Sequence, residues 1–301
     1  MPPPRIASLV PAGTDLVAEL GRGEALVGVS HQCDHPAARG RPVLTSSTVG
    51  AAGTGGAGEP APADVDRAVA EAVRAGQPLY RTDMELLRRL SPDVVVAQDV
   101  CDVCAVSGDR VGAELPAGTE LVALDAITLS GLEDDLARLG KAVDAVDAAG
   151  ATTARLRAEL TAVAERVAGR RPRPALVLEW ADPPFLGGHW VPELVSLAGG
   201  VHVLAGPGQR SRRSTWEEVR HAGPEVVVFA PCGYTLTAAE AEARRVRRHL
   251  PPGAELWAAH ATALFSRCTP EAVTAAARLL AGALHPGHAP PPEAGVAVRL
   301  A

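Results

Sequence analysis

Two cysteines three residues apart, Cys101 and Cys104, have the spacing in this sequence that most clearly suggests chemistry. They follow residues 92–98, a β-branched run typical of a buried strand. They therefore fall just beyond the carboxyl end of a strand, where α/β folds bind ligands. Two thiols at this spacing can bind one soft metal ion or form one redox disulfide. The pattern leaves both kinds of site open.

A third thiol occupies a comparable place earlier in the sequence. His31 and Cys33 follow the strand-like run 25–30. Thiolates together with an imidazole suit tetrahedral zinc, and they also suit iron or copper. We therefore predict one shared metal site, with zinc favoured, formed by Cys33, Cys101, Cys104 and His31.

The fourth ligand of that site has alternatives. It can be His35, His189, His260 or a water molecule, and a water ligand would make the metal catalytic. A redox role for the Cys-x-x-Cys pair is disfavoured, because residues 105–109 include a glycine and form a poor helix start, unlike the segment after a thioredoxin-like motif. Packing of the two thiols as inert side chains is the remaining interpretation.

Aromatic side chains in the second half of the chain predict a flat wall for a planar ligand. Trp180 and Trp190 flank one loop, although the chain has only four tryptophans. Tryptophan faces pack against ring-containing ligands, and Gly187 and Gly188 allow close backbone approach. For Trp190 the alternative is a core position at a helix start, and for the run 211–216 it is a solvated loop. The predicted cofactor-binding residues are Trp180, Trp190, Trp216, Arg213 and Tyr234.

Three side chains near the same strand ends can transfer protons. Glu179 and His260 each follow a strand-like run, and His189 precedes Trp190. These three are the predicted catalytic residues if the chain is an enzyme, which the sequence leaves uncertain. His189 is also a candidate metal or cobalt ligand, with a hydrogen-bonding role as the alternative. No Gly-x-Ser-x-Gly elbow, His-Glu-x-x-His helix or Walker motif occurs, which excludes the usual serine hydrolases, zincins and P-loop NTPases.

Hydrophobic periodicity predicts an α/β fold with two Rossmann-like lobes. Short buried strands alternate with helices, first at 5–10, 25–30, 93–98 and 121–124, and again at 175–178, 225–230 and 255–259. Between the two series, residues 129–170 have helical spacing without proline, which predicts one long connecting helix, with a break near Gly150 as a variant. The predicted domains are an N-terminal lobe (1–128), the connecting helix (129–170), a C-terminal lobe (171–285) and a poorly ordered tail (286–301).

Composition narrows the class of partner. Of 301 residues, 47% are hydrophobic and 21% are charged, and the formal charge of -6 gives no basic surface for nucleic acid. No apolar run approaches the roughly 18 residues of a membrane span. Residues 1–11 show no secretory h-region, which predicts a cytoplasmic location. We expect a small-molecule or metal-chelate ligand.

The segments 6–20, 80–98 and 179–200 resemble the vitamin B12-binding, helical-backbone class of ABC-transporter substrate-binding proteins, which have the class III periplasmic-binding fold. The resemblance covers roughly residues 5–285. It implies two α/β lobes joined by a rigid helix, with a corrinoid, haem, siderophore or metal ion in the cleft between them. Ser-His-x-Cys-Asp-x-Pro at 30–36 and Cys-x-x-Cys at 101–104 resemble a cytoplasmic, cobalamin-binding-like subgroup. Delivery to an ABC permease is not expected of that subgroup.

Two functions are consistent with these features. The first is a cytoplasmic binding protein that holds a corrinoid, such as cobalamin, or another metal-containing ligand in the inter-lobe cleft and carries a cysteine-rich metal site. The alternative is a metal-dependent enzyme, with a zinc, iron or copper thiolate centre, on the same fold. The implied cofactors are a metal ion and cobalamin.

Overall fold

The computed structural model describes residues 3–48, 62–75, 77–98 and 111–300. They form two compact units. Unit 1 holds most of the residues up to Arg155. Unit 2 holds those from Leu156 onward, together with Ile127–Leu129 and the start of the helix that begins at Pro62.

Unit 1 is built on a parallel sheet. Its elements in chain order are β1 (Ile6–Ser8), α1 (Pro11–Glu19), β2 (Leu26–Gly28), β3 (Thr45–Ser47), α2 (Pro62–Arg74), β4 (Tyr80–Thr82), α3 (Met84–Leu90), β5 (Val94–Gln98), β6 (Glu120–Leu124) and α4 (Leu129–Ala142). The four main strands run in the order β2-β1-β5-β6, all parallel, while β3 and β4 form a separate antiparallel pair. Residues Val94–Ala97 are buried throughout, as expected of a strand covered on both faces. The predicted strands of this lobe are therefore confirmed.

Short helices of unit 1 begin where local chemistry favours them. Pro11 is the first residue of α1, where its missing N–H has no intrahelical partner to lose. Asp83 caps α3 by accepting the N–H of Leu86 at 2.8 Å. Because α1 starts immediately after β1, its first turn lies at the carboxyl end of the sheet.

The helical segment predicted over residues 129–170 is divided into two helices in the structure, with the break at a different place from the variant near Gly150. The structure has α4 and then α5 (Val146–Val167), separated at Asp144, which adopts the left-handed conformation with φ of 55°. A residue in this conformation ends a helix, and Arg22 Nε donates at 2.9 Å to the carbonyl of Val143, which lies just beyond the end of α4. Gly150, where a break was the variant, lies inside α5. The predicted domain boundaries stay predictions.

Unit 2 has a larger, mixed sheet. After α5 its elements are β7 (Arg173–Ala181), β8 (Pro184–Leu186), α6 (Val191–Leu197), β9 (Gly200–His202), β10 (Arg212–Arg213), α7 (Trp216–Ala222), β11 (Val226–Phe229), α8 (Leu236–Val246), β12 (Glu255–Ala259), α9 (Ala261–Leu264), α10 (Pro270–Leu284) and β13 (Ala297–Leu300). The strand order is β10-β8-β7-β11-β12-β13, with β9 beside the first half of β7. The three central strands, β7, β11 and β12, are parallel.

The predicted disordered tail is also wrong in its last part. Residues Ala297–Leu300 form β13, which pairs antiparallel with β12 from Leu256 to Ala259. The proline, glycine and alanine composition of 286–296 concealed a strand of only four residues beyond it. In both units, strands alternate with helices, so the α/β fold class is confirmed.

Candidate functional site

Side chains at the carboxyl ends of β7, β11 and β12 form a group that we call the unit 2 edge: Glu179, Trp180, Cys232, Tyr234 and His260. The register places Leu178, Phe229 and Ala258 level with one another, so the residues that follow them lie at the same end of the sheet. The N–H of Cys232 donates to the carbonyl of Glu179 at 3.3 Å, which joins the loop after β11 to the end of β7. The structure therefore places four of the predicted site residues, together with Cys232, at one end of the same sheet.

An aromatic pair is the central feature of the unit 2 edge. The rings of Trp180 and Tyr234 have centroids 5.5 Å apart and meet edge to face at 77°. Tyr234 is buried, while Trp180 keeps part of its surface exposed. The buried indole N–H of Trp180 has no hydrogen-bond partner among the described residues. The exposed part of the Trp180 ring, supported by Tyr234, thus offers an apolar face to a ligand.

The ring of His260 caps a helix. Its Nδ1 accepts the backbone N–H of Ala263 at 3.2 Å at the start of α9, and the backbone N–H of His260 donates to the carbonyl of Val296 at 2.9 Å. A neutral imidazole that accepts at Nδ1 carries its hydrogen on Nε2. His260 therefore presents a donor at Nε2, and to act as a base it would have to give up the cap.

His189 lies in a tightly folded loop between β8 and α6. It adopts the left-handed conformation (φ 54°), and its carbonyl accepts the N–H of Gly208 at 3.0 Å. The Ser211 hydroxyl accepts the N–H of Gly188 at 3.1 Å and lies 3.3 Å from His189 Nδ1. Burial lowers the pKa of His189, and the charge of Arg210 lowers it further. The imidazole is therefore neutral near pH 7, with a lone pair available.

Gly188 makes this loop possible. A Cβ atom there would lie 2.4 Å from the backbone nitrogen of Ser211 and 2.5 Å from the carbonyl oxygen of Gln209. Gly188 is therefore needed for packing of this loop against the protein's own backbone, while close approach to a ligand stays a prediction. Trp190, the next residue but one, is only 7% exposed and precedes the first residue of α6, which favours its alternative assignment to the core. Its role in ligand binding stays a prediction.

A second aromatic surface of unit 2 combines Trp216 with His249. Their rings stack at a centroid distance of 4.9 Å and an angle of 13°. Burial lowers the pKa of His249, Arg248 and Arg220 lower it further, and Asp182 opposes the shift. Arg213 is exposed on the edge strand β10. Sequence analysis missed His249, because no local pattern links it to a tryptophan so far away in the chain.

In unit 1, the predicted metal ligands His31 and Cys33 lie beside hydroxyl groups. The Sγ of Cys33 is 3.0 Å from the Oγ1 of Thr14, in the first turns of α1. The hydroxyl of Thr45 lies 2.7 Å from His31 Nδ1, accepts the N–H of His31 at 3.1 Å and donates to Ser30 Oγ at 3.0 Å. Burial lowers the pKa of His31. Sequence analysis missed both threonines, whose positions after β1 and in β3 were the available signal.

The other two predicted ligands, Cys101 and Cys104, lie outside the described residues. Within the described ranges, no three His, Cys, Asp or Glu side chains group closely enough to hold a metal ion. Cys33, Cys232 and Cys268 are not joined in a disulfide. The cysteine-rich site and its zinc, iron or copper stay predictions without structural support.

Comparison with known proteins places the chain in context. A family model described as "Periplasmic binding protein" matches residues 6–248. A periplasmic vitamin B12 binding protein of Vibrio cholerae is 21% identical with a TM-score of 0.64, covering 94% of this chain and 97% of its own. A periplasmic haem binding protein of Pseudomonas aeruginosa is 18% identical with a TM-score of 0.69, covering 99% and 98%. A periplasmic haem binding protein of Vibrio cholerae is 17% identical with a TM-score of 0.67, covering 94% and 99%. No curated protein sequence matches the chain.

These similarities show the class III periplasmic-binding fold. The cytoplasmic location predicted from residues 1–11 is wrong, because the matching family and the similar structures are periplasmic proteins. The cytoplasmic Cys-x-x-Cys subgroup is likewise not supported. None of the helices in the described ranges has the length and apolar character needed to cross a bilayer.

Proposed function

The chain belongs to the periplasmic binding protein family, and we propose that it binds a corrinoid or a haem-like tetrapyrrole at the unit 2 edge. The observation that carries this proposal is the edge-to-face pair of Trp180 and Tyr234 at the carboxyl ends of adjacent parallel strands. A large flat macrocycle is the kind of ligand that an aromatic face binds by excluding water. The similar solved structures include proteins for vitamin B12 and for haem.

The other residues predicted from the sequence have defined tasks in this proposal. Trp180 contacts the ring system, Tyr234 supports Trp180 from the core side, and the Nε2–H of His260 donates to a peripheral acceptor. Arg213 and the Trp216–His249 stack accommodate carboxylate or amide groups at the periphery of the ligand. Glu179 accepts from ligand amides.

His189 is suited to a different contact. Because burial and the charge of Arg210 lower its pKa, His189 favours the neutral imidazole, whose nitrogen lone pair could ligate the cobalt or iron of a bound macrocycle. The position of the ligand in a cleft between two lobes, expected from the resemblance, stays a prediction.

The test is titration of the purified protein with cyanocobalamin and, separately, with haemin, followed by absorbance and calorimetry. We expect saturable binding of one of them below tens of micromolar. Trp180→Ala should weaken it about tenfold or more, since losing one aromatic contact costs at least about 1.4 kcal/mol. Trp257→Phe, on β12 but away from the unit 2 edge, is the matched control. Absence of binding of both ligands at these concentrations would refute the proposal.

Elemental analysis of the protein as isolated separates this function from the metalloenzyme alternative. The proposal predicts protein without stoichiometric zinc, iron or copper before ligand is added. Stoichiometric metal that disappears in Cys101→Ser and Cys33→Ser variants would instead support the thiolate centre.

A further inference from the structure

A cavity of about 510 Å³ lies in unit 2, lined by the segment 286–292 and by residues of α5, α10, β12 and β13. Its walls include Arg166, Trp257, Gly282 and Arg299. Cavities of roughly 300–1,000 Å³ are the size that binds small organic molecules. None of these residues belongs to the unit 2 edge, so the cavity is a separate feature.

The proline-rich wall of this cavity is fixed in place by close packing. A Cβ atom at Gly282 would lie 2.5 Å from the carbonyl oxygen of Pro290, so α10 and the segment approach more closely than any other residue would allow. At the start of the segment, His285 Nε2 lies 3.0 Å from the carbonyl of Gly199. The wall is therefore preformed, and a ligand need not order it.

The charge of the lining is positive. Arg166, exposed near the end of α5, has no carboxylate partner in the part of the chain that the structure describes. Arg299 pairs with Glu255 at 2.9 Å, but Glu255 also binds Arg173 at 2.7 Å, so one carboxylate serves two guanidinium groups. Among the described residues, no acidic side chain lines the cavity. An anion would supply the missing negative charge.

An aromatic side chain lies beside these cations. Trp257 and Arg299 are directly opposite each other in the antiparallel β12–β13 pair, so their side chains share one face of the sheet. The buried indole N–H of Trp257 has no hydrogen-bond partner among the described residues. The partly exposed ring of Trp257 therefore offers an apolar surface beside the two guanidinium groups.

We infer that this cavity is a second binding site, for a small organic anion that joins a flat apolar ring to a carboxylate. The ring packs against Trp257 and the prolines, and the carboxylate pairs with Arg166 and Arg299. An apolar ring surface or a pair of cations alone would not distinguish the cavity from the rest of the surface. Their combination in one preformed cavity does.

The test uses 2-naphthoate as the probe and 2-naphthalenemethanol as its uncharged analogue, with binding to the full chain measured by calorimetry. We expect submillimolar binding of 2-naphthoate and at least tenfold weaker binding of the alcohol. Arg166→Gln should weaken 2-naphthoate binding at least fivefold, because the guanidinium is exposed and its removal leaves the packing intact. Arg157→Gln, an exposed arginine earlier on α5, should leave binding unchanged.

A second variant separates ligand binding from folding. Gly282→Ala should displace the 286–292 wall and abolish binding, while circular dichroism at 20 °C reports whether unit 2 stays folded. Trp180→Ala should retain 2-naphthoate binding, which makes this site independent of the proposed tetrapyrrole site. Equal affinity for the acid and the alcohol, or no effect of Arg166→Gln, would overturn the inference.

Discussion

In each unit a histidine follows the carboxyl end of a parallel strand, and the two histidines differ in their hydrogen bonds. In unit 1, Thr45 donates to Ser30 Oγ, so the nearby Nδ1 of His31 donates to Thr45 and its Nε2 carries the lone pair. In unit 2, Nδ1 of His260 accepts a backbone N–H, and Nε2 carries the hydrogen. Neighbouring groups therefore make one imidazole a base and the other a donor at the same ring position.

This difference bears on the roles predicted from the sequence. A metal ligand needs a free lone pair, which His31 offers and His260 does not. A ligand carbonyl needs a donor, which His260 offers. Residue type alone suggested either role at either position, and the hydrogen bond at the other ring nitrogen decides between them.

The loops around the two histidines are also stabilised by different contacts. In unit 2 the contacts are backbone against backbone at Gly188 and between aromatic rings. In unit 1 they are hydrogen bonds of side-chain hydroxyls, chiefly that of Thr45. Four substitutions test how much each kind of contact contributes to stability.

The largest effect is expected for Gly188→Ala. Its Cβ would meet two backbone atoms at 2.4 and 2.5 Å, and such overpacking lowers the free energy of unfolding by about 3 kcal/mol. Chemical denaturation measures the loss. Gly253→Ala is the control, because Gly253 has φ of 83° but nothing within 4 Å, so only conformational strain of about 1 kcal/mol applies. Equal losses would show that the loop is not braced by its backbone.

A buried imidazole makes the stability of unit 2 depend on pH. His202 is 8% exposed, and burial lowers its pKa to about 4. Between pH 6.5 and 4 the unfolded chain binds a proton that the folded chain does not, so stability is complete above pH 6.5 and falls on acidification. We expect a loss of about 2 kcal/mol from pH 7 to pH 5 that His202→Gln removes and His221→Gln, at an exposed site, retains. A slope unchanged in His202→Gln would contradict this account.

In unit 1, Thr45→Val should lower the unfolding free energy by about 1.5 kcal/mol, because it removes the buried hydroxyl that accepts both the backbone N–H and the Nδ1–H of His31. Its cross-strand neighbour provides the control. Thr82 Oγ1 is buried without a partner among the described residues, so Thr82→Val should be neutral or slightly stabilising. Comparable losses in both variants would show that the hydroxyl bonds of Thr45 contribute nothing specific.

The smallest effect is expected at His260. His260→Ala removes the cap of α9 and should cost about 1 kcal/mol in thermal or chemical unfolding, while His260→Asn, which also caps, should recover most of it. Failure of Asn to recover stability would assign the loss to the ring's packing instead.

Much of the fold was predictable because buried parallel strands are runs of β-branched residues. Val94–Gln98 and Val226–Phe229 are rich in valine. The helices before them begin after Asp83 and Thr215, residue types that often cap helices. The sequence did not reveal β3, β4, β8, β9, β10 and β13, since strands of two to four residues carry too little periodicity. The break at Asp144 depends on one backbone conformation, which composition does not report.

The candidate site was predictable in part for a related reason. Strand ends indicated Glu179, Trp180 and His260 without indicating which would touch. The Trp216–His249 stack and the hydroxyls around His31 arise from tertiary packing between segments distant in sequence. Tautomers and pKa shifts depend on those neighbours, so they become visible only in the folded chain.

The pairing of β13 with β12 affects how the chain folds while it is synthesised on the ribosome. β12 is synthesised before α9, α10 and the proline-rich segment, so its outer row of N–H and C=O groups waits unpaired for roughly a few seconds at ordinary elongation rates. During that interval the nascent chain presents an open strand edge that favours association with other chains. Synthesis of β13 pairs this edge with the last strand of the sheet and ends that exposure.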